Sequence, residues 1–560
     1  MDLREIKNPL FLKSLTEDET KNLCNEIRTF IIDYCAKNGG YLSGNLSAIE
    51  LSVVLNKVFN QNDKLLFDGN DLNYTNKILN GLSDELQTNS NGAYSLANAV
   101  GLAASRDLNH ENYSVVAVVN SLDLLSGRYI EALNLISSLE KRLIIVFNDD
   151  TTIDKGIGLV DKLFSSLRNT NSYNNLKENV KGMIRPTKNG EEIIENIHNF
   201  KSNLKKNMLK EGIFSEYNID YIGPVDGHNI KELTKAFNIA KDKEYPVVVH
   251  CITNSGKGYK FAEASTNGSY YKVDKFNIET GEFTLAEKDN YLFTKNIVGK
   301  TFERLMESNE NLLCVTSRNI NDYGVANIFA KYPNRSFDTS SSGDNTLSFA
   351  SGLSLDDKIC FVPLKSFELL NAFRVIKNQI CKLNKPMLIG LIDNGNLNYD
   401  LLNNLTNVYI FEPKDSIELQ NVVNAACLLD KPTFVIYPDK CINYEEISNF
   451  SEFNLGNWPQ IGNNDNRGVA ILSNGFDTDA INEIVAQNEL PYSLFEMNSY
   501  LPIDTDTLKH LLKDYKKVYC YGTSLKKNIL EFVNDNNLQN NICFIEKEGL
   551  DNFFKLINND

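Results

Sequence analysis

The chain has 560 residues, 42% apolar and 23% charged, a composition ordinary for a globular protein of three or four domains with sizeable cores. Acidic residues outnumber basic ones 73 to 57, a formal charge of −16, which argues against nucleic acid or an anionic membrane as a partner. The same charge disfavours a polyanionic substrate unless basic residues cluster locally.

No apolar core follows Met1-Asp2-Leu3-Arg4-Glu5, so no signal peptide is expected, and no stretch approaches the roughly 18 apolar residues that cross a bilayer. Helices are predicted over Glu17–Lys37, Ser47–Phe59 and Gly92–Arg106, then a strand at Val115–Val119, a helix at Arg128–Leu139 and a strand at Leu143–Phe147. A polar, helix-like insertion (about 161–211) interrupts the rhythm before a helix at Asn229–Lys241 and a strand at Val247–Ile252. These elements make a first block, 1–282, with a Gly/Asn/Tyr-rich linker over 266–290. A second block, 291–443, carries strands at Leu313–Thr316, Cys360–Pro363, Met387–Ile392, Val408–Phe411 and Thr433–Tyr437. A third, 468–560, carries Val469–Leu472, Ser493–Glu496 and Val518–Tyr521. Short continuous apolar runs suit strands buried on both faces, and their alternation with helices predicts an α/β architecture with mainly parallel sheets flanked by helices. Ten scattered cysteines without a C-x-x-C pair read as free thiols in a reducing, cytoplasmic compartment.

Gly39-Gly40-Tyr41-Leu42-Ser43-Gly44-Asn45-Leu46, followed by Glu50-Leu51, begins an ordered series of motifs. Next come Asp68…Tyr74…Lys77-Ile78-Leu79, Glu131-Ala132-Leu133-Asn134 and Asn148-Asp149. Tyr221-Ile222-Gly223-Pro224-Val225-Asp226-Gly227-His228-Asn229 and Gly256-Lys257-Gly258-Tyr259-Lys260 follow, then Phe349-Ala350-Ser351-Gly352-Leu353, Tyr437-Pro438 and Leu501-Pro502-Ile503-Asp504. In this order and spacing the chain resembles the 1-deoxy-D-xylulose-5-phosphate synthase family, most closely before Glu263 and thinly after Gly468. The resemblance implies a three-domain transketolase-like fold, a homodimer, and thiamine diphosphate with Mg2+ as cofactors. It also implies transfer of a two-carbon unit from pyruvate to glyceraldehyde 3-phosphate with release of CO2, at the start of non-mevalonate isoprenoid synthesis.

Carried over position by position, the resemblance puts Ser121 where the family has its metal-ligating Asp, in the turn Asn120-Ser121-Leu122. Asp150 stands at the second ligand position and Thr152 at the third, after Asn148. A hydroxyl is a poor substitute for a carboxylate on Mg2+, so weak or absent metal binding is expected, and Asp123, Asp149 and Asp150 read equally as solvated loop acids. The Glu that activates the cofactor's pyrimidine is replaced by Gly343, with Asp344 adjacent as a surface acid or displaced substitute. Family histidine positions hold Tyr41, Asp71, Asn91, Tyr271 and Asn345. Of the histidines present, His228 is expected to bind backbone in a turn, and His110, His198 and His510 to be exposed. Three arginines for the acceptor's phosphate correspond to Asn371, Asn394 and Asp439, the last reversing the charge. Phe367 matches the aromatic that packs on the pyrimidine, although an aromatic at a strand end also reads as core. Gly256–Lys260 lacks the spacing of a phosphate loop and reads as a structural turn.

Residues that shape turns and cores thus match the family, and those that do its chemistry do not. The expectation is a catalytically degenerate paralogue with a regulatory or scaffolding role, forming a homodimer or pairing with a genuine synthase. The alternatives are an active synthase with a rebuilt site and a cleft repurposed for another small ligand.

Overall fold

The computed structural model describes residues 2–87, 95–120, 127–150, 214–265, 268–284, 287, 290–317, 320–395, 397–452, 456–461, 468–488, 490–538, 541–547 and 549–559. The predicted insertion at 161–211 lies outside them, as do Asn91, Ser121, Asp123, Thr152 and His198. The chain divides into two compact units, Met1–Leu285 and Ala286–Asp560.

In the first unit, β1 (Lys64–Phe67), β2 (Val115–Asn120), β3 (Ile144–Asp150), β4 (Asp220–Asp226) and β5 (Val247–Thr253) form one sheet in the order β1-β2-β3-β5-β4. Every pairing in it is parallel. Val116 and Val118 face one core while Val115, Ala117 and Val119 face another, so β2 is buried on both sides and needs no polar alternation. The first core is completed by α1 (Glu17–Asn38), α2 (Ile49–Val58) and α3 (Ile230–Lys241). Thr16 starts α1 with a capping box, its hydroxyl accepting from the Glu19 amide while the Glu19 carboxylate accepts from the Thr16 amide.

The second unit contains β6 (Leu312–Thr316), β7 (Ser336–Asp338), β8 (Ile359–Lys365), β9 (Met387–Asp393), β10 (Tyr409–Phe411), β11 (Pro432–Pro438), β12 (Val469–Ser473), β13 (Tyr492–Glu496), β14 (Ser499–Leu501), β15 (Lys517–Tyr521) and β16 (Ile542–Ile545). One sheet runs β7-β6-β8-β9-β11-β10-β14, parallel except where β14 joins β10. The other runs β13-β12-β15-β16, all parallel, with Gln460–Ile461 added antiparallel at the β13 edge. A single core cluster joins Val362 and Ile389 of the first sheet to Ala470, Leu472 and Val518 of the second. The second and third sequence blocks therefore lie in one compact unit, each with its own sheet.

All eleven predicted strands are present within two or three residues of their expected limits. The α/β architecture with mainly parallel sheets flanked by helices is thus seen directly. Strands β1, β4, β7, β14 and β16 were not legible, because they are short or edge elements with mixed polarity. All ten cysteines carry free thiols, and eight are buried. Among the described residues no helix is long and apolar enough to cross a membrane.

Candidate functional site

Parallel α/β sheets place functional groups at the carboxyl ends of their strands. In the first unit, the loop after β1 brings Asp71 to the end of β2. There the Asp71 Oδ2 accepts from Asn120 Nδ2 (3.1 Å) and from the Tyr271 hydroxyl (2.6 Å). Gly69 (φ +77°) makes room for this carboxyl, because a Cβ at Gly69 would collide with Asp71 Oδ1. Tyr271 is brought in by a two-residue ribbon, Gly40–Tyr41 against Lys272–Val273, and its ring meets that of Tyr41 edge-on at 6.0 Å. Three of the positions where the family has histidine, Tyr41, Asp71 and Tyr271, thus converge. Burial pushes the Asp71 carboxyl above the usual range, outweighing the two hydrogen bonds.

One strand further, Asn148 and Asp150 lie buried on β3. Asn148 Oδ1 accepts from Thr253 Oγ1 (2.9 Å). The expectation that Asp149 and Asp150 are solvated loop acids is wrong: both are strand residues, 0% and 3% exposed. Pairing of β3 with β5 puts Asp149 against His250, whose Nε2–H donates to Asp149 Oδ2 (2.9 Å). The Tyr221 hydroxyl meets the other ring nitrogen at 2.6 Å, and burial pushes that hydroxyl's pKa up. This buried Tyr–His–Asp chain escaped sequence reasoning, because Asp149 reads as a loop residue until the strand is extended past Phe147.

His228 is a turn residue as expected, its Nε2 accepting from the Asn254 amide (2.9 Å). Its Nδ1 also meets Glu50 Oε2 at 3.1 Å, and Glu50 pairs with Arg28. The segment Gly256–Lys260 forms a turn leading into a short helix, with Gly258 N–H donating to Glu263. His110 is exposed and His510 is half-exposed.

In the second unit, Gly343 is the first residue of α4 (Gly343–Ser354), and α5 (Ser366–Asn378) follows β8. A Cβ on Gly343 would stand 3.3 Å from Glu368 Oε1 and 3.2 Å from Leu364 Cδ2. Glu368 caps α5, its Oε2 accepting from the Lys365 amide (2.8 Å) and the Tyr323 hydroxyl (2.8 Å), with Ser317 Oγ 3.3 Å from Oε1. Burial raises its pKa in spite of these donors. Phe367, read as core, is instead 54% exposed, because it points away at the start of α5. Its neighbour Glu368 had no family role to flag it.

Asn394 and Asp439 follow the adjacent strands β9 and β11, and Asn371 is exposed on α5. Asp439 pairs with Lys295 (3.1 Å), and Lys365 with Asp322 (3.1 Å). Asn345 is exposed and donates to Ser341 Oγ, while Asp344 is only half-buried. Among the described residues no group of three or more His, Cys, Asp or Glu is arranged to hold a metal ion.

Mainly parallel sheets flanked by helices define an α/β protein, with the residues described above near the carboxyl ends of its strands. A family model described as 1-deoxy-D-xylulose-5-phosphate synthase matches residues 3–93 and 88–253. The 1-deoxy-D-xylulose-5-phosphate synthase of Clostridium acetobutylicum is 29% identical over 98% of this chain and 96% of its own length. That of Clostridium tetani is 27% identical over 99% and 97%. The chain is thus similar to 1-deoxy-D-xylulose-5-phosphate synthases, by family model up to residue 253 and by curated relatives over nearly its whole length. Solved structures similar to it include a split-gene transketolase described as an inactive β4 tetramer (TM-score 0.41, 20% identity, 46% of this chain and 89% of that one). Another is the Campylobacter jejuni transketolase (TM-score 0.38, 13% identity, 95% and 96%).

Proposed function

We propose that this chain keeps the family scaffold without the family's synthase chemistry, and serves in the cytoplasm as a regulatory or scaffolding subunit. The observation that carries this reading is the closed contact between Asp71, Asn120 and Tyr271. Groups that in the family would be free to move protons are here replaced by side chains that satisfy one another. The family is thiamine diphosphate-dependent, and the residues present do not fit that cofactor. The activating carboxylate position is Gly343, and the space its side chain would enter is bordered by Glu368 and Leu364. A position where the family has a phosphate-binding arginine is an aspartate already committed to Lys295. Loss of a single group of this kind costs orders of magnitude in rate, and in this chain several are replaced at once.

The test is twofold. The purified chain, mixed with thiamine diphosphate and Mg2+, is expected to show no saturable rise in melting temperature. With pyruvate and glyceraldehyde 3-phosphate it is expected to release no CO2 above a boiled control. A saturable shift together with turnover would overturn the reading.

One observation favours a second reading, a rebuilt synthase: the Glu368 carboxylate borders the space vacated at Gly343. On that reading a cofactor-induced melting shift exists and is abolished in Glu368→Gln. If the shift is absent in the parent chain, the second reading falls.

The pairing partner is proposed to be a second copy of this chain or a genuine synthase. Exposed Phe349, Phe367 and Leu370 on α4 and α5 support an apolar contact surface there.

A further inference from the structure

We propose that the C-terminal sheet carries a separate binding site for a small uncharged polyhydroxylated ligand, of the sugar or nucleoside kind. A cavity of about 580 Å3, lined in part by Tyr399, Asp400, Gly522, Thr523, Ser524 and Lys547, opens at the carboxyl ends of this sheet. Its volume lies within the range of small-molecule sites.

Topology favours the location. In the order β13-β12-β15-β16, the chain leaves β12 toward β13 on one side and continues through β15 and β16 on the other. The carboxyl ends of β12 and β15 therefore flank a switch point, where open α/β sheets bind ligands. Asn474 follows β12, Gly522–Ser524 follow β15, and Lys547 follows β16.

A second observation points the same way. Asn474 is fully buried, and its Nδ2 donates to Glu412 Oε2 (2.8 Å) and to the Tyr500 hydroxyl (2.7 Å). Its Oδ1 has no hydrogen-bond partner, which a buried amide carbonyl rarely tolerates. Gly522 (φ +108°) borders the cavity, and a Cβ there would stand 3.5 Å from Asn474 Oδ1 and 3.1 Å from Lys547 Cε. The glycine keeps open the space between the amide oxygen and the lysine. Fastening β12 to Glu412 and Tyr500 accounts for the Asn474 nitrogen but leaves its oxygen without a use.

The groups present select the ligand class. Lys547 is paired with Asp477 (2.8 Å), Glu412 stands behind, and Asp400 lines the wall. Lys440 interacts electrostatically with both Asp477 and Lys547, and three carboxylates against two ammonium groups still disfavour a phosphate or other anion. Thr523 and Ser524 hydroxyls can donate and accept, the Asp400 carboxylate can accept from hydroxyls of a ligand, and Tyr399 offers an aromatic ring. Ligand hydroxyls meet each of these demands.

Saturation-transfer NMR on the full chain tests this with ribose and adenosine at about 10 mM each, where a millimolar site is well occupied. Inorganic phosphate is followed in parallel by 31P line broadening. Asp400 and Thr523 are exposed, so Asp400→Asn and Thr523→Trp leave the core untouched. Transfer to both probes identifies a sugar site, and transfer to adenosine alone a nucleoside site. In either case both variants are expected to weaken binding about tenfold, the loss that follows a hydrogen bond to a charged group or a plugged cavity. Absence of transfer to either probe, phosphate broadening alone, or full binding retained in either variant would overturn the proposal.

Discussion

At Asp71, a carboxyl group that burial pushes upward is held by two neutral donors, Asn120 and Tyr271. Tyr271→Phe removes one donor without changing shape. It is expected to destabilise the protein by about 1–3 kcal/mol, as a buried acceptor loses its partner, read as a lower urea midpoint. Asp71→Asn keeps an acceptor oxygen and should cost less. Glu496 is a second buried acid whose pKa burial raises. At the end of β13 it is 1% exposed, and burial, reinforced by the neighbouring Glu418 carboxylate, pushes it up to about 10 despite Lys414. The folded chain then holds a proton that the unfolded chain releases above about pH 4.3. Its stabilisation is complete below that value and is lost as the pH rises toward about 10. Glu496→Gln should therefore flatten the fall in urea midpoint between about pH 5 and about pH 9. An unchanged slope would reject this role.

Between elements, one buried tie in the first unit runs from α1 through α2 to the turn after β4. Arg28 on α1 pairs with Glu50 on α2 at 2.5 Å, Glu50 accepts from His228, and His228 accepts from the Asn254 amide. Arg28 Nε also donates to the Lys257 carbonyl (2.9 Å). Burial acts to raise the Glu50 carboxyl, but the His228 hydrogen bond and the Arg28 charge outweigh it and leave it below its usual value. The sign is the reverse of Glu496: the contribution is present above about pH 4.3 and lost as acid protonates Glu50. Glu50→Ala leaves Arg28 buried without its partner and is expected to cost about 3–5 kcal/mol at neutral pH. The difference from the parent chain should shrink on acidification, measured by denaturant unfolding at both pH values.

Across the whole molecule, a charge of −16 disfavours nucleic acids and anionic surfaces, and the association proposed above rests on apolar contact. Leu370 is 58% exposed on α5, near the exposed Phe367. If that surface pairs two copies, Leu370→Glu should halve the mass seen by light scattering without lowering the melting temperature. A parent chain that is already monomeric at micromolar concentration removes the homodimer and leaves the pairing with a genuine synthase.

Legibility followed burial. Strands such as Val115–Asn120 and Met387–Asp393 are buried on both faces, so their apolar runs announce them. β1 and β14 are short, and their pairing partners come from distant sequence, so nothing local marks them. The positions Tyr41, Asp71, Tyr271, Gly343 and Asp439 could be named only through the family resemblance that the motifs carry. Spacing could not tell that three of them meet, that Asp149 is buried against His250, or that Glu368 borders the gap at Gly343.

By itself, then, the sequence determined the α/β rhythm and the ordered motifs that carry the family resemblance, because periodicity and spacing are properties of neighbours along the chain. The tertiary structure alone decided which buried carboxylates find donors and which glycines open space, because hydrogen bonding and desolvation depend on groups brought together from strands and loops far apart in sequence.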